Sequence, residues 1–180
     1  MKKTFIYSTI FFVGMLGLST TSMAMEEAIL NPKDTANILN KLTERALDGK
    51  KGFEEVAERV DSARLKELFT VRSLEREKFA RELRAKVAAL GQKPKQGGVF
   101  EGAVRRAWVD VKAMVHRGDD KAILDVVKFG EEETLDAYQD ALSKDLSADV
   151  RKVVDKQARR IEDSYRWTVK RIDEIDKQQS

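Results

Sequence analysis

The chain has 180 residues, enough for one domain of ordinary size and a short leader. Charged residues make up 36% and apolar residues 42% of the sequence, with 2 prolines and 10 glycines. This balance is typical of a well-solvated helical protein and not of a β-sandwich or a disordered chain. The formal net charge is +3, and Lys2 and Lys3 of the leader contribute to it. The mature part is therefore close to neutral, which disfavours nucleic acid as a partner.

Two residue types that carry much of protein chemistry are absent or scarce. The chain contains no cysteine and a single histidine, His116. Disulfides, thiol catalysis and thiolate metal sites are therefore excluded, and most mechanisms that need a general base lose their usual residue. No phosphate-binding glycine motif or catalytic-triad pattern is present in the sequence. We therefore predict that the protein is not an enzyme.

The first 24 residues have the pattern of an export signal. A basic start is followed by an apolar run, residues 5–18, and then by Ser22 and Ala24 at the two positions where signal peptidase requires small side chains. The apolar run is shorter than the ~20 residues that span a bilayer. We therefore expect cleavage near Ala24, which would leave residues 25–180 in the periplasm or outside the cell.

Four segments of the mature chain carry apolar residues at the three- and four-residue steps of an amphipathic helix. No segment alternates with a period of two, so the sequence predicts an all-α fold. Gly91 is placed to end the second helix. The expected helix starts are Pro32 with Asp34 or Thr35 as N-cap, Asp61 or Ser62, Asp119 or Asp120, and Ser147.

The lengths of the connections predict the topology. Short links join the first helix to the second and the third to the fourth, so each pair should form an antiparallel hairpin. A helix of about 25 residues is ~37 Å long, and residues 91–118 are long enough to return along such a bundle. The expected fold is therefore a four-helix bundle with ferritin-like connectivity, in which a long crossover joins the two hairpins.

Part of the crossover carries a helical pattern of its own. Apolar residues such as Trp108 recur at helical spacing in residues 99–115, which predicts a short amphipathic helix. Its other face carries Arg105, Arg106 and Lys112. We expect the apolar face to cover a groove of the bundle. The alternative is that the three basic residues bind an anionic membrane surface or a partner.

Several longer stretches of the sequence carry a family resemblance. They are RALDGKKGF (45–53), FAREL and LGQKP (79–94), GGVFEGAVRRAWVDVKAMVHRGDDKAIL (97–124) and GEEETLDAYQDAL (130–142). In this order they resemble a bacterial ferritin-like four-helix-bundle family of unknown function, domain of unknown function 2383. The resemblance implies a ferritin-like four-helix bundle. It implies no activity, because none is established for the family.

Ferritin-like bundles often hold two iron or manganese ions in the core. The usual ligands are a Glu from each of two helices and a Glu-x-x-His from each of the other two. This chain lacks the histidines for that pattern, since His116 lies at the end of the predicted crossover helix. We therefore expect no cofactor. The alternative is a carboxylate-only di-metal site of iron or manganese built from Glu54, Glu75, Glu131 and Glu162.

Several polar residues are predicted to meet at mid-height of the bundle. In such a layer a glutamate would pair with an arginine and a tyrosine would donate a hydrogen bond, which can fix the register of the helices. We favour this structural interpretation over a ligand-binding one. The residues of the predicted layer are Arg72, Glu75, Arg76, Glu131 and Tyr165.

The sequence thus favours an exported, non-enzymatic bundle that binds a protein partner, associates with itself, or acts in envelope stress. The alternative function is that of a carboxylate-based iron or manganese protein.

Overall fold

The computed structural model describes residues 30–97 and 120–179. Within these two ranges every regular element is an α-helix and no strand occurs, so the all-α class is confirmed. No helix in the described ranges has the length and apolar character needed to cross a membrane. The four helices are α1 (Pro32–Ala57), α2 (Ala63–Ala89), α3 (Asp120–Leu142) and α4 (Ala148–Gln179).

The start of α1 differs from the prediction. The side chain of Asn31 accepts a hydrogen bond from the backbone N–H of Asp34 at 2.9 Å, so Asn31 is the N-cap. Pro32 is then the first residue of the helix, a position that suits proline because its missing N–H would have no partner there. The predicted caps, Asp34 and Thr35, are therefore wrong, and both residues lie inside the first turn.

Helix α2 begins and ends where the sequence predicts. The hydroxyl of Ser62 caps the N-terminus, as predicted. At the other end Gly91 has a φ of +69°, a left-handed conformation that glycine adopts without strain. Two backbone hydrogen bonds close this end, from Gly91 to Ala88 at 2.9 Å and from Gln92 to Val87 at 3.2 Å. They form the usual glycine-terminated helix end.

Two apolar clusters fill the two ends of the bundle. The first cluster takes residues from the first half of α1 and α4 and from the second half of α2 and α3, among them Leu39, Leu83 and Val154. The second cluster takes residues from the opposite halves, among them Phe69 and Leu124. Because α2 and α3 both run from the second cluster toward the first, these two helices are parallel.

The parallel α2 and α3 define the connectivity of the fold. α1 packs along α2, and α3 packs along α4, so the helices form two hairpins. The end of α2 and the start of α3 consequently lie at opposite ends of the bundle, as the ferritin-like order of helices requires. The ferritin-like four-helix bundle predicted from the connection lengths is confirmed.

Several predictions fall on residues that the structure does not describe. They are the export signal (residues 1–24), the amphipathic helix of the crossover (residues 99–115) and its basic residues Arg105, Arg106 and Lys112, together with His116.

Candidate functional site

A buried group of polar side chains lies between the two apolar clusters. We call it the central polar cluster. α2 contributes two arginines, α3 a glutamate and α4 two hydroxyl residues, so three of the four helices meet in it. Its members are Arg72, Arg76, Glu131, Ser164 and Thr168.

An ion pair joins α2 to α3 in this cluster. Nη2 of Arg76 donates to Oε2 of Glu131 at 2.5 Å, and the two side chains are 1% and 3% exposed. The hydroxyl of Ser164 donates to Oε1, the other oxygen of the same carboxylate. Both oxygens of Glu131 are therefore engaged by protein groups. The guanidinium of Arg76 also lies over the ring of Phe79, with 5.3 Å between the guanidinium carbon and the ring centroid.

Arg72 is the second buried cation. It donates to the hydroxyl of Thr168 at 3.2 Å and to the backbone carbonyl of Ser164 at 3.4 Å. Its guanidinium carbon is 4.8 Å from the ring centroid of Trp167. Burial lowers the pKa of Arg72 to about 10, and the negative charge of Glu131 opposes this effect. Arg72 therefore remains charged at neutral pH, and two buried cations share one buried glutamate.

A second polar chain lies inside the first apolar cluster. The hydroxyl of Tyr138 donates to Oε1 of Gln157 at 2.8 Å, and the amide of Gln157 donates to Glu82 at 2.9 Å. Tyr138 is fully buried, and this burial raises the pKa of its hydroxyl. The sequence interpretation did not pair these residues. The available signal was Gln157 itself, an amide on the apolar stripe of α4.

Two members of the predicted polar layer lie outside the central polar cluster. Glu75 sits at the edge of the bundle and forms an ion pair with Arg160 at 2.8 Å. Tyr165 is half-buried, and its hydroxyl makes no hydrogen bond to the part of the chain that is described. In both cases a neighbouring residue, Arg76 or Ser164, points inward, because one step along a helix turns the side chain by ~100°.

The four carboxylates proposed as metal ligands are not brought together. Glu54 pairs with Lys50 at 2.9 Å, and Glu162 pairs with Arg166 at 2.5 Å, each on the surface of its own helix. Within residues 30–97 and 120–179 no three His, Asp or Glu side chains are placed to hold a metal ion. Glu131 is buried, but its oxygens already bind an arginine and a serine. The described residues therefore do not fit a di-metal centre.

The two antiparallel hairpins, with α2 parallel to α3 around a polar centre, define a ferritin-like four-helix bundle. The chain belongs to the family described as Domain of unknown function (DUF2383), whose model matches residues 34–144. The match covers nearly all of α1 and the whole of α2 and α3, and it confirms the resemblance seen in the sequence. A comparison with curated protein sequences gave no significant match.

Solved structures with the same fold include two iron-site proteins and one Dps. A bacterioferritin from Desulfovibrio desulfuricans, described with its diiron site, has a TM-score of 0.67 and 13% identity over 82% of each chain. An N-terminal deletion mutant of Dps from Mycobacterium smegmatis has a TM-score of 0.67 and 15% identity over 79% of this chain and 96% of that one. Ferritin-like, diiron-carboxylate proteins from Bacillus anthracis have a TM-score of 0.55 and 18% identity, over 83% and 98%. At these identities the likeness shows the fold alone.

Proposed function

We propose that this chain is an exported, non-enzymatic four-helix bundle that binds a partner molecule in the cell envelope. The observation that carries the proposal is the ion pair between Arg76 and Glu131 at the centre of the bundle. In this fold the core is where carboxylates from facing helices can hold metal ions. Here the buried carboxylate is neutralised by a guanidinium and a hydroxyl.

The charges around Glu131 oppose a cation in its place. A metal ion could bind Glu131 only after displacing Arg76 and Ser164 from its two oxygens. The displaced Arg76 and the nearby Arg72 would then face the metal ion as two buried positive charges. Uncompensated buried charges are costly, so the arrangement favours a structural role for the central polar cluster.

The outer face of α2 supports a binding role. Val71 and Leu74 lie three residues apart on this helix and are 57% and 58% exposed. Residues three apart share one face of a helix, so their side chains form one small apolar surface. Such a surface suits contact with a protein partner or with a second copy of the chain.

The alternative function is that of a carboxylate-based iron or manganese protein. It is favoured by the fold, because two of the structural neighbours are described with a diiron site or as diiron-carboxylate proteins. The two functions predict different metal contents for the purified protein.

Metal analysis of the mature protein after dialysis is the deciding experiment. We expect iron and manganese well below one equivalent per chain, and the same content in the Glu131→Gln variant and in the control Glu77→Gln, which changes an exposed carboxylate outside the four candidate ligands. Near-stoichiometric metal that is lost in Glu131→Gln and kept in Glu77→Gln would overturn the proposal in favour of the alternative.

Export and self-association are tested separately. Expression of the full chain followed by cell fractionation should give a periplasmic product whose N-terminus lies at or near Met25, after the expected cleavage site. Sedimentation at increasing protein concentration tests association through α2. Leu74→Glu should weaken any association. Ala88→Glu, at an exposed site of α2 about 21 Å further along the helix, should leave it unchanged.

A further inference from the structure

A groove runs along the junction of α1 and α3. Its volume is about 410 Å³, within the range of about 300–1,000 Å³ that small-molecule sites occupy. Apolar side chains including Leu42, Ala137 and Ala141 line it. A smaller cavity lies beside the groove, and Arg45 and Asp48 line both. These two residues therefore connect the groove and the cavity into one site.

The carboxylate of Asp48 lacks a hydrogen-bond partner among the described residues. The residue is 6% exposed, and its Oδ1 atom accepts no hydrogen bond from residues 30–97 or 120–179. Burial raises the pKa of Asp48 to about 6, although the positive charges of Arg45 and Lys51 act in the opposite direction. A buried carboxylate oxygen without a donor is costly, and native structures rarely retain one without a functional or structural reason.

Arg45 lies one helical turn before Asp48, and its charge is also unmatched. Its charge acts on the carboxylate of Asp48. Within residues 30–97 and 120–179, Arg45 makes no hydrogen bond or ion pair, either with Asp48 or with another residue. A positive and a negative side chain thus line the same groove without forming an ion pair with each other.

The other charges around the groove are already satisfied or in solvent. Lys144 pairs with Asp140 at 2.9 Å, and Glu44 pairs with Lys95 at 3.5 Å. Lys41 is exposed, so water and salt screen its charge. Arg45 and Asp48 are therefore the two oppositely charged groups of the groove that are left to pair with charges on a bound molecule.

We propose that this groove binds a small zwitterion of the amino-acid class. Its ammonium group donates to the carboxylate of Asp48, its carboxylate accepts from the guanidinium of Arg45, and its apolar side chain lies on the floor that includes Leu42 and Ala141. A guanidinium suits this role because its planar fork can donate two parallel hydrogen bonds to a carboxylate. This inference rests on the proposed binding function and names the ligand class for it.

The test is a calorimetric titration of the mature protein with leucine and phenylalanine. Two blocked compounds serve as comparison ligands: N-acetylleucine, which lacks the ammonium, and leucinamide, which lacks the carboxylate. We expect saturable binding of the zwitterions and binding of each blocked compound that is at least about tenfold weaker, since each loses one charged contact.

Variants of the two charged residues locate the site. Asp48→Asn and Arg45→Gln should each weaken leucine binding about tenfold or more, and Arg45→Lys should weaken it less because the charge remains. The matched controls are Asp155→Asn and Arg159→Gln, which remove an exposed ion pair of α4 whose two residues do not line the groove or the cavity. Circular dichroism confirms that each variant is folded before it is titrated.

Three results would overturn the inference: no heat of binding at millimolar zwitterion, equal affinity for the blocked compounds, or unchanged affinity in both groove variants. None of these results depends on the metal content or the sedimentation of the protein. Calorimetry therefore tests the groove as a zwitterion site, whereas metal analysis and sedimentation test the proposed function independently.

Discussion

Nη2 of Arg76 on α2 lies 2.5 Å from Oε2 of Glu131 on α3, and both side chains are almost completely buried. α2 and α3 belong to different hairpins, so this pair is a polar connection between the two halves of the bundle. Ser164 on α4 donates to the same carboxylate and adds a third helix to the contact. Because the pair can form in one register of the helices only, it helps to specify how the hairpins dock.

Removal of one partner of this pair should destabilise the protein strongly. Glu131→Gln leaves the guanidinium of Arg76 buried without a counter-charge, which costs about 3–5 kcal/mol in comparable cases. The measurement is the free energy of unfolding from urea denaturation. The control is Glu162→Gln, which removes an exposed pair with Arg166 and should cost less than about 1 kcal/mol.

The double variant Arg76→Met with Glu131→Leu should recover most of the lost stability. It removes both charges together, and apolar replacement of a buried ion pair is often neutral or stabilising. The single variants Arg76→Met and Glu131→Leu complete a double-mutant cycle with it. We expect the coupling free energy from this cycle to lie well above the error of the measurement. Additive effects of the two single changes would contradict the buried pair.

The contribution of Asp48 to the stability of the protein should fall as pH rises from about 4 to about 6. Burial raises the pKa of Asp48 from 3.8 to about 6, so between these values the folded protein binds more protons than the unfolded chain. Below this pH range Asp48 is protonated in both states and burial costs no charge. Above it the folded protein must keep a charged carboxylate buried, which lowers the free energy of unfolding. The pKa change corresponds to a loss of about 3 kcal/mol at most.

Asp48→Asn should abolish this contribution, because the amide does not titrate. We expect a higher free energy of unfolding than the wild type at pH 7 and a smaller difference at pH 4. Asp140→Asn, at an exposed carboxylate on α3, should not change the pH profile in this direction. An identical pH profile for wild type and Asp48→Asn would contradict the buried, titrating carboxylate.

The sequence predicted the helices and the fold well because the apolar pattern depends on local spacing alone. It predicted the polar centre less well. Glu75 and Arg76 are neighbours near the same stripe of α2, and spacing does not tell which one points inward. The structure shows the reason: Glu75 reaches Arg160 at the edge, whereas Arg76 reaches Glu131 on the parallel α3.

The groove at Asp48 could not be found from the sequence. Asp48 stands in a stretch of charged residues next to Gly49, and such a carboxylate is usually solvated. Its burial depends on how α1 meets α3 at Gly130 and Thr134, which line the cavity beside it. A polar contact between helices from different hairpins, unlike an apolar one, leaves no periodic signal in either segment.

Tyr138→Phe should destabilise the protein by about 1–3 kcal/mol. The change removes the donor to Gln157, and the amide oxygen then stays buried without a partner. Chemical denaturation of wild type and variant gives the difference. The control is Tyr165→Phe, where the lost hydroxyl makes no hydrogen bond within the described residues, and we expect a change below about 0.5 kcal/mol. Equal effects of the two changes would contradict the buried hydrogen bond.

Gly49 lies where α1 comes close to the side chain of Arg76. A Cβ atom built at Gly49 would lie 3.4 Å from Cδ of Arg76, an ordinary van der Waals contact. Gly49→Ala therefore fits, and it should stabilise the protein by about 0.5–1 kcal/mol because alanine favours the helix. Thermal and urea unfolding measure this gain.

A larger side chain at the same position should have the opposite effect. Gly49→Leu places further carbon atoms against Arg76, which must shift away from Glu131 or force α1 outward, at a cost of about 1–3 kcal/mol. In the Arg76→Met, Glu131→Leu background the same change should cost less, since no ion pair remains to be disturbed. Lys66→Leu, at an exposed site of α2, controls for the added apolar surface. If Gly49→Leu were as stable as Gly49→Ala in the wild-type background, the close approach of α1 to Arg76 would be contradicted.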